Sequence, residues 1–286
     1  MNAIKTTLLL GLMSGLFIVG GNALGGQNGM TMGLVLAVGM NFFSYFFSEK
    51  MALASSGAIR VSDSQNSEVY WRIAPMVKRL CERMELPEPK LWVIPEDAPN
   101  AFATGRNPSH SSVAVTMGLL KLMNDEEIEG VIAHELGHIK NRDILISSIA
   151  ATMGAAITYL AHFAMFFGGR RSDDDEGTNP LAAIAMMLLA PIAAGMIQMA
   201  ISRTREYSAD ATAAKYTGSP RGLMSALQKL EGWSKRIPMD ASPTMSHMYI
   251  IKPFTGQSMA RLFSTHPATE ERIARLKQLR DSGALA

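Results

Sequence analysis

The chain has 286 residues, with 27 Lys or Arg against 25 Asp or Glu, one cysteine and 21 methionines. That length holds one or two modest domains with a real core. A net charge of +2 gives no general case for nucleic-acid binding, and the lone Cys81 excludes an intrachain disulfide. The charge is segregated, with long stretches carrying none and others dense in both signs, as in membrane segments alternating with a water-exposed domain.

Two apolar stretches, about 6–24 and 30–47, open the chain, and neither contains Asp, Glu, Lys or Arg. Each approaches the roughly 20 residues that span a bilayer as a helix. A short uncharged loop joins them, so they read as a helical hairpin with both ends on one side. A cleaved signal peptide is the alternative for the first; Lys5 and the small residues Gly20, Gly21 and Ala23 favour it, and the second apolar run so soon afterwards opposes it.

The region that follows has ordinary soluble character. Val69, Ile73, Met76, Val77 and Leu80 share one face of a helix over 67–84. Residues 90–94 read as a short strand stopped by Pro95, 100–105 as an extended stretch before a turn, and 111–117 as a Val-rich strand. Asn124-Asp-Glu-Glu127 starts a helix, with Asn124 as cap, Glu127 three residues on and acids in the first turn. Two further uncharged stretches, 144–167 and 181–201, are long enough to span, although their Ala and Gly content also suits a buried hairpin in a soluble domain. Helices are expected over 202–216 and 221–235. Residues 237–257 are loop-like, and an amphipathic helix over 267–281 has Pro in its first turn. Lys5, Lys50, Lys140, Arg142, Arg203 and Arg205 flank the apolar stretches on what is then the cytoplasmic side, with Arg170 and Arg171 opposing.

The chemistry concentrates at His134-Glu135-Leu136-Gly137-His138. Two His four apart on a helix face the same way and reach one metal, and Glu135 beside them is placed as general base on water at that metal. A zinc site needs a third protein ligand, and a ligand six residues after His138 is excluded because Ile144 stands there. Glu206 is the best distant candidate, with Asp210 four residues on to accept a hydrogen bond from a ligand imidazole. His138 precedes the third apolar stretch by six residues and Glu206 follows the fourth by five. Both therefore stand roughly 8–9 Å from the membrane edge, at the same height if the two stretches run antiparallel.

Together with Asn100-Ala-Phe-Ala-Thr-Gly105, Ser202-Arg-Thr-Arg-Glu-Tyr-Ser-Ala-Asp210, Ser264-Thr-His-Pro267 and Arg272, these motifs resemble the HtpX heat-shock membrane metallopeptidases, relatives of the CAAX prenyl protease. The resemblance covers nearly the whole chain. It implies an α+β, mainly helical fold: a zincin-like (gluzincin) peptidase core combined with four transmembrane helices. The expected organisation is a transmembrane hairpin over 1–49, a first part of the peptidase domain over 50–143, a second apolar hairpin over 144–201 and a second part of the domain over 202–286.

The resemblance also implies one Zn2+ on His134, His138 and Glu206, with Glu135 as base. It makes Asn100, Ala101, Phe102 and Ala103 an edge strand that pairs with substrate; His266 reads either as a stabiliser of the oxyanion or as a helix-start residue before Pro267. Arg203 and Arg272 either share that role or pair with Asp210. The expected activity is endopeptidase cleavage of misfolded or damaged membrane proteins at the bacterial inner membrane, with the site facing the cytoplasm. A prenyl-protein processing protease and a zinc-binding membrane scaffold without hydrolysis are the alternatives. The small side chains Ala101 and Ala103 suit close approach of another backbone, whereas Phe102 also suits an ordinary core strand.

Overall fold

The computed structural model describes residues 2–149, 203–234, 250 and 267–283. His266, the apolar stretch 181–201 and all but the first turn of 144–167 lie outside the described residues, as does the 237–257 loop apart from Ile250.

Helix α1 (Asn2–Ser55) is folded back on itself about Gly26, whose φ is +57°. In a straight helix Ser14 and Asn41 would stand about 40 Å apart at 1.5 Å per residue. Instead Asn41 Nδ2 donates to Ser14 Oγ at 2.9 Å and to the Leu10 carbonyl at 3.5 Å. The arms meet backbone to backbone: a Cβ on Gly21 would collide with Gly29, and one on Gly33 with Phe17. Small residues give this close approach, which is how helices associate where lipid supplies no hydrophobic drive. Among the described residues, Gly26–Ser55 is long and apolar enough to cross a membrane, and Thr6–Val19 is a shorter apolar run.

A sheet follows, made of β1 (Ile59–Val61), β2 (Lys90–Ile94), β3 (Ala101–Asn107) and β4 (His110–Thr116) in the order β1-β2-β4-β3. β2 and β4 are parallel; the outer pairs are antiparallel. Strand alternation sends Leu91, Val93, Ala101, Ala103, Val113 and Val115 into the main core. That core also takes the apolar faces of α2 (Ser67–Met84) and α4 (Asp125–Lys140). The opposite face presents Ile94, Phe102 and Ala114 to Ala52 and Leu53 at the end of α1, and Glu49 accepts from Ser112 at 2.8 Å. The hairpin is thereby fixed to the sheet's outer face.

The short α3 (Met117–Leu122) is capped by the Thr116 hydroxyl. α4 starts at the capping box expected from sequence: Asn124 accepts from Glu127 N–H, and Glu127 reaches back to the Asn124 N–H, both at 2.9 Å. Around α4 pack α5 (Arg203–Thr217), α6 (Arg221–Ser234) and α7 (Thr269–Asp281).

Candidate metal centre

The second half of α4 is wholly buried up to Gly137. Gly137 lies against the backbone of Ala209 in α5, where an added Cβ would sit 3.1 Å from the Ala209 carbonyl oxygen. This contact sets α5 close enough for its Glu206 to face the two histidines of α4. His134 Nε2 and His138 Nε2 are 3.2 Å apart. Glu206 Oε1 is 3.5 Å from His138 Nε2, and Oε2 is 3.8 Å from His134 Nε2. Three donor atoms, one from each residue, lie within 4.8 Å of one another. Four-coordinate zinc with Zn–N near 2.0–2.1 Å places tetrahedral donors about 3.3 Å apart, so the donor set and its spacing fit such an ion.

Behind the donors stands a layer of buried charge. Asp210 Oδ1 lies 2.9 Å from His134 Nδ1, which leaves Nε2 directed at the centre. Arg272 of α7 grips Asp210 through Nε at 2.8 Å and Nη2 at 2.6 Å, and stands 3.5 Å from Glu206 Oε2. Burial opposes the Arg272 charge, but Asp210, Glu206 and Glu135 more than offset it and raise its pKa. Asp210 is likewise held below its ordinary value, because Arg272 and His134 outweigh burial. His138 has its own acceptor, Asp143 Oδ2 at 3.2 Å from Nδ1. Burial lowers its pKa, but Asp143, Glu206 and Glu135 together push it up to about 9. Glu135 is buried beside the two histidines. Loss of water raises its pKa, against the pull of both histidines and a hydrogen bond with the Ala103 backbone.

A model of peptidase family M48 matches residues 69–280. The chain belongs to peptidase family M48. Curated relatives described as "Protease HtpX homolog" include one from Desulfatibacillum aliphaticivorans, 53% identical over 96% of this chain and 89% of its own. Another, from Methylibium petroleiphilum, is 52% identical over 96% of both chains, and one from Paraburkholderia phytofirmans is 50% identical over 99% and 98%. The crystal structure of S. mikatae Ste24p has the same fold, with TM-score 0.50 at 21% identity over 96% of this chain. This chain spans 65% of that one. As an M48 member with an apolar N-terminal hairpin, the protein is a membrane metallopeptidase, and its substrates are polypeptides.

The other expected site residues of this M48 chain are distributed unevenly. Asn100 is buried, and its Oδ1 accepts from the N–H groups of Ala101 at 2.8 Å and Ile250 at 3.2 Å, while its Nδ2 has no hydrogen-bond partner among the described residues. β3 is an edge strand. The Thr116 N–H bonds to the Asn100 carbonyl at 2.9 Å, so by alternation residues 101, 103 and 105 turn their peptide groups away from β4. The free edge is short, because Ser148 reaches the Gly105 N–H at 3.5 Å and Thr104 Oγ1 at 2.9 Å. The Phe102 side chain follows the core-strand alternative of the sequence reading: it is 1% exposed and packs in the outer core with Ala52 and Leu53.

Of the two readings of Arg203 and Arg272, the pairing with Asp210 falls to Arg272; Arg203 is exposed at the start of α5. The arginine of α5 that turns inward is Arg205, whose Nε and Nη1 have no hydrogen-bond partner among the described residues and whose pKa burial lowers. Sequence reasoning also missed Asp143 and Ile250. The signal for Asp143 was an acid five residues after His138 at the mouth of an apolar stretch; for Ile250 no local signal exists.

Proposed function

We propose that this M48 peptidase is a zinc endopeptidase in which His134, His138 and Glu206 hold one Zn2+ and Glu135 is the general base. The observation that carries this reading is the convergence of two Nε2 atoms 3.2 Å apart with a carboxylate 3.5 Å from one of them. Zinc in this position supplies Lewis acidity toward water and the scissile carbonyl. Glu135 takes the proton of the attacking water and delivers it to the leaving amine, and its burial raises its basicity for that transfer. Asp210, locked by Arg272, fixes the His134 tautomer. The outward carbonyls of Ala101 and Ala103 accept from an extended substrate backbone, and Asn100 Nδ2, which has no partner among the described residues, donates to a substrate carbonyl. The Phe102 backbone belongs to the ladder with β4 and its side chain to the core, so its part is to hold this strand in place. His266 is the proposed donor to the developing oxyanion.

The substrates we infer are misfolded or damaged membrane proteins, in a quality-control role at the bacterial inner membrane. Supporting this, the peptidase core is joined at Ala52 and Leu53 to the apolar hairpin, and residues 144–149 lead from the metal helix into the third apolar stretch. In this reading the chain is multi-pass, the two apolar pairs alternate with the two parts of the peptidase domain, and the site faces the cytoplasm. Intact Glu135 speaks against a scaffold without hydrolysis.

The test is cleavage of casein by the metal-free protein in detergent, with and without added zinc, comparing wild type with Glu135→Ala. Zinc-dependent cutting that drops at least about 100-fold in the variant, with zinc binding retained, is expected. Wild type that binds zinc and cuts neither casein nor a membrane protein would overturn it.

A further inference from the structure

We propose that Asp143 is a positioning residue for the metal centre: its carboxylate accepts the Nδ1–H of His138 and so commits Nε2 of that ring to the metal. The inference rests on the ligand set proposed above and adds to it a residue outside the ligand and base machinery.

The backbone is arranged to make this contact. α4 ends at Lys140, and on a continuing helix residue 143 would lie about 140° around the axis from His138, facing away from it. Arg142 instead adopts φ +58°, a left-handed conformation uncommon for a residue with a side chain. With that turn the Asp143 N–H returns to the His138 carbonyl at 2.9 Å, and its Oδ2 comes within 3.2 Å of His138 Nδ1. Asp143 is 3% exposed, so the carboxylate is removed from water at the imidazole. The arrangement repeats on the other ligand, where Asp210 Oδ1 stands 2.9 Å from His134 Nδ1. Each imidazole thus has its own acceptor, one from α5 and one from the turn that ends α4. An imidazole that donates Nδ1–H to a carboxylate has one orientation and one tautomer, and its Nε2 is a stronger donor to a metal.

A purely structural role competes with this. The Asp143 carbonyl accepts from Ser147 N–H at 3.3 Å, so Asp143 also begins the helix over 144–149, where an acid is a good cap. Two substitutions separate the roles. Asp143→Ser keeps a capping oxygen but is too short to reach the ring. Asp143→Asn keeps both the cap and an acceptor at full reach, without the charge.

The measurement is zinc affinity of the full-length protein in detergent, by competition with a chelator, alongside the melting temperature of the metal-free form. We expect D143S to lose 10- to 100-fold in affinity with the metal-free melting temperature close to wild type, and D143N to fall between the two. D143S binding zinc as tightly as wild type overturns the positioning role and leaves the ligand set standing. Should D143S fail to fold, D143N decides: weakened binding at an unchanged melting temperature supports the role, and undiminished binding overturns it. Wild type that binds no zinc refutes the ligand set itself, which His138→Ala probes separately.

Discussion

The N-terminal hairpin and the peptidase core are held together by opposite means. In α1 many large apolar side chains face outward, with Leu8 62%, Val35 66% and Phe42 59% exposed, while Leu9 and Met13 are buried. Its two arms touch through glycine backbone, with Asn41 bonded across to Ser14 and Leu10. In the core the outward surface is polar, and Glu127, Asp143, Glu206, Asp210 and Arg272 are buried inside it. Lipid makes the first arrangement stable, because the backbone is satisfied within each helix and apolar surface costs nothing there. The second is stable only while its charges stay matched, because an unmatched charge in a low-dielectric interior is expensive. Single polar substitutions should therefore be severe in the core and mild in the hairpin.

The largest effect is expected at Arg272. Arg272→Ala leaves Asp210 buried against His134 without its guanidinium partner, and removes the 3.1 Å hydrogen bond to the Ile250 carbonyl. Breaking one side of such a pair costs about 3–5 kcal/mol. The core should melt far below wild type while α1 keeps its helix. Cys81 reports this selectively, since burial and nearby Glu88 push its thiol up to about 12 and the folded protein resists alkylation at pH 8. In Arg272→Ala, Cys81 should label at temperatures where wild type does not. Unchanged labelling would place the strength of the core elsewhere.

A smaller effect follows at the other end of α4. Glu127 closes the capping box, accepts from Ser225 at 2.6 Å and pairs with Lys229 at 2.7 Å. Its loss in Glu127→Ala should cost about 2–4 kcal/mol, a charged hydrogen bond plus a cap. Burial raises the Glu127 pKa, but Lys229, Ser225 and the Asn124 backbone more than offset it, so the net shift is downward from 4.5. A depressed carboxylate stabilises the fold above its unfolded value, and that contribution disappears as pH falls through the folded one. Wild type should therefore lose melting temperature more steeply than Glu127→Ala on acidification below about pH 4.5. Parallel curves would mean the carboxylate is not coupled to folding.

What was legible in the sequence divides along the same line between local and assembled features. α2 occupies 67–84, as its apolar spacing predicts, and the Asn124–Glu127 box starts α4. Both signals are complete within one turn or one face. That His134 and His138 share a face needed only helical periodicity, and the structure brings Glu206 of a second acidic helix within 4.8 Å of them. β1, three residues long, carries too little pattern to detect. Asp143 left a sequence signal, an acid five residues after His138, but its approach to the ring depends on one positive φ at Arg142, which spacing does not encode. Phe102 stayed open between cleft strand and core because alternation separates it from Ala101 and Ala103 without saying which face α1 covers. Arg203 and Arg205 differ only in what packs over the first turn of α5, which no local spacing encodes.

The mildest prediction bears on the hairpin. Asn41→Leu removes the hydrogen bonds to Ser14 Oγ and the Leu10 carbonyl at 2.9 and 3.5 Å. Interhelical side-chain hydrogen bonds in membranes average about 0.6 kcal/mol, because the separated helices find other partners. The Ser14 hydroxyl also keeps its own 2.9 Å bond to Leu10 O within the helix, so leucine leaves no bare donor behind. The arms remain in contact over Gly21, Gly29 and Gly33, so the substitution should lower resistance to denaturing detergent only slightly and leave zinc affinity unchanged. A large value of Gly33→Leu against a small value for Asn41→Leu would show that backbone proximity, rather than the polar link, holds the arms. If Asn41→Leu instead abolished zinc binding, hairpin and core would be one cooperative unit. The contact of Ala52 and Leu53 with Phe102 would then carry force between the hairpin and the edge strand β3.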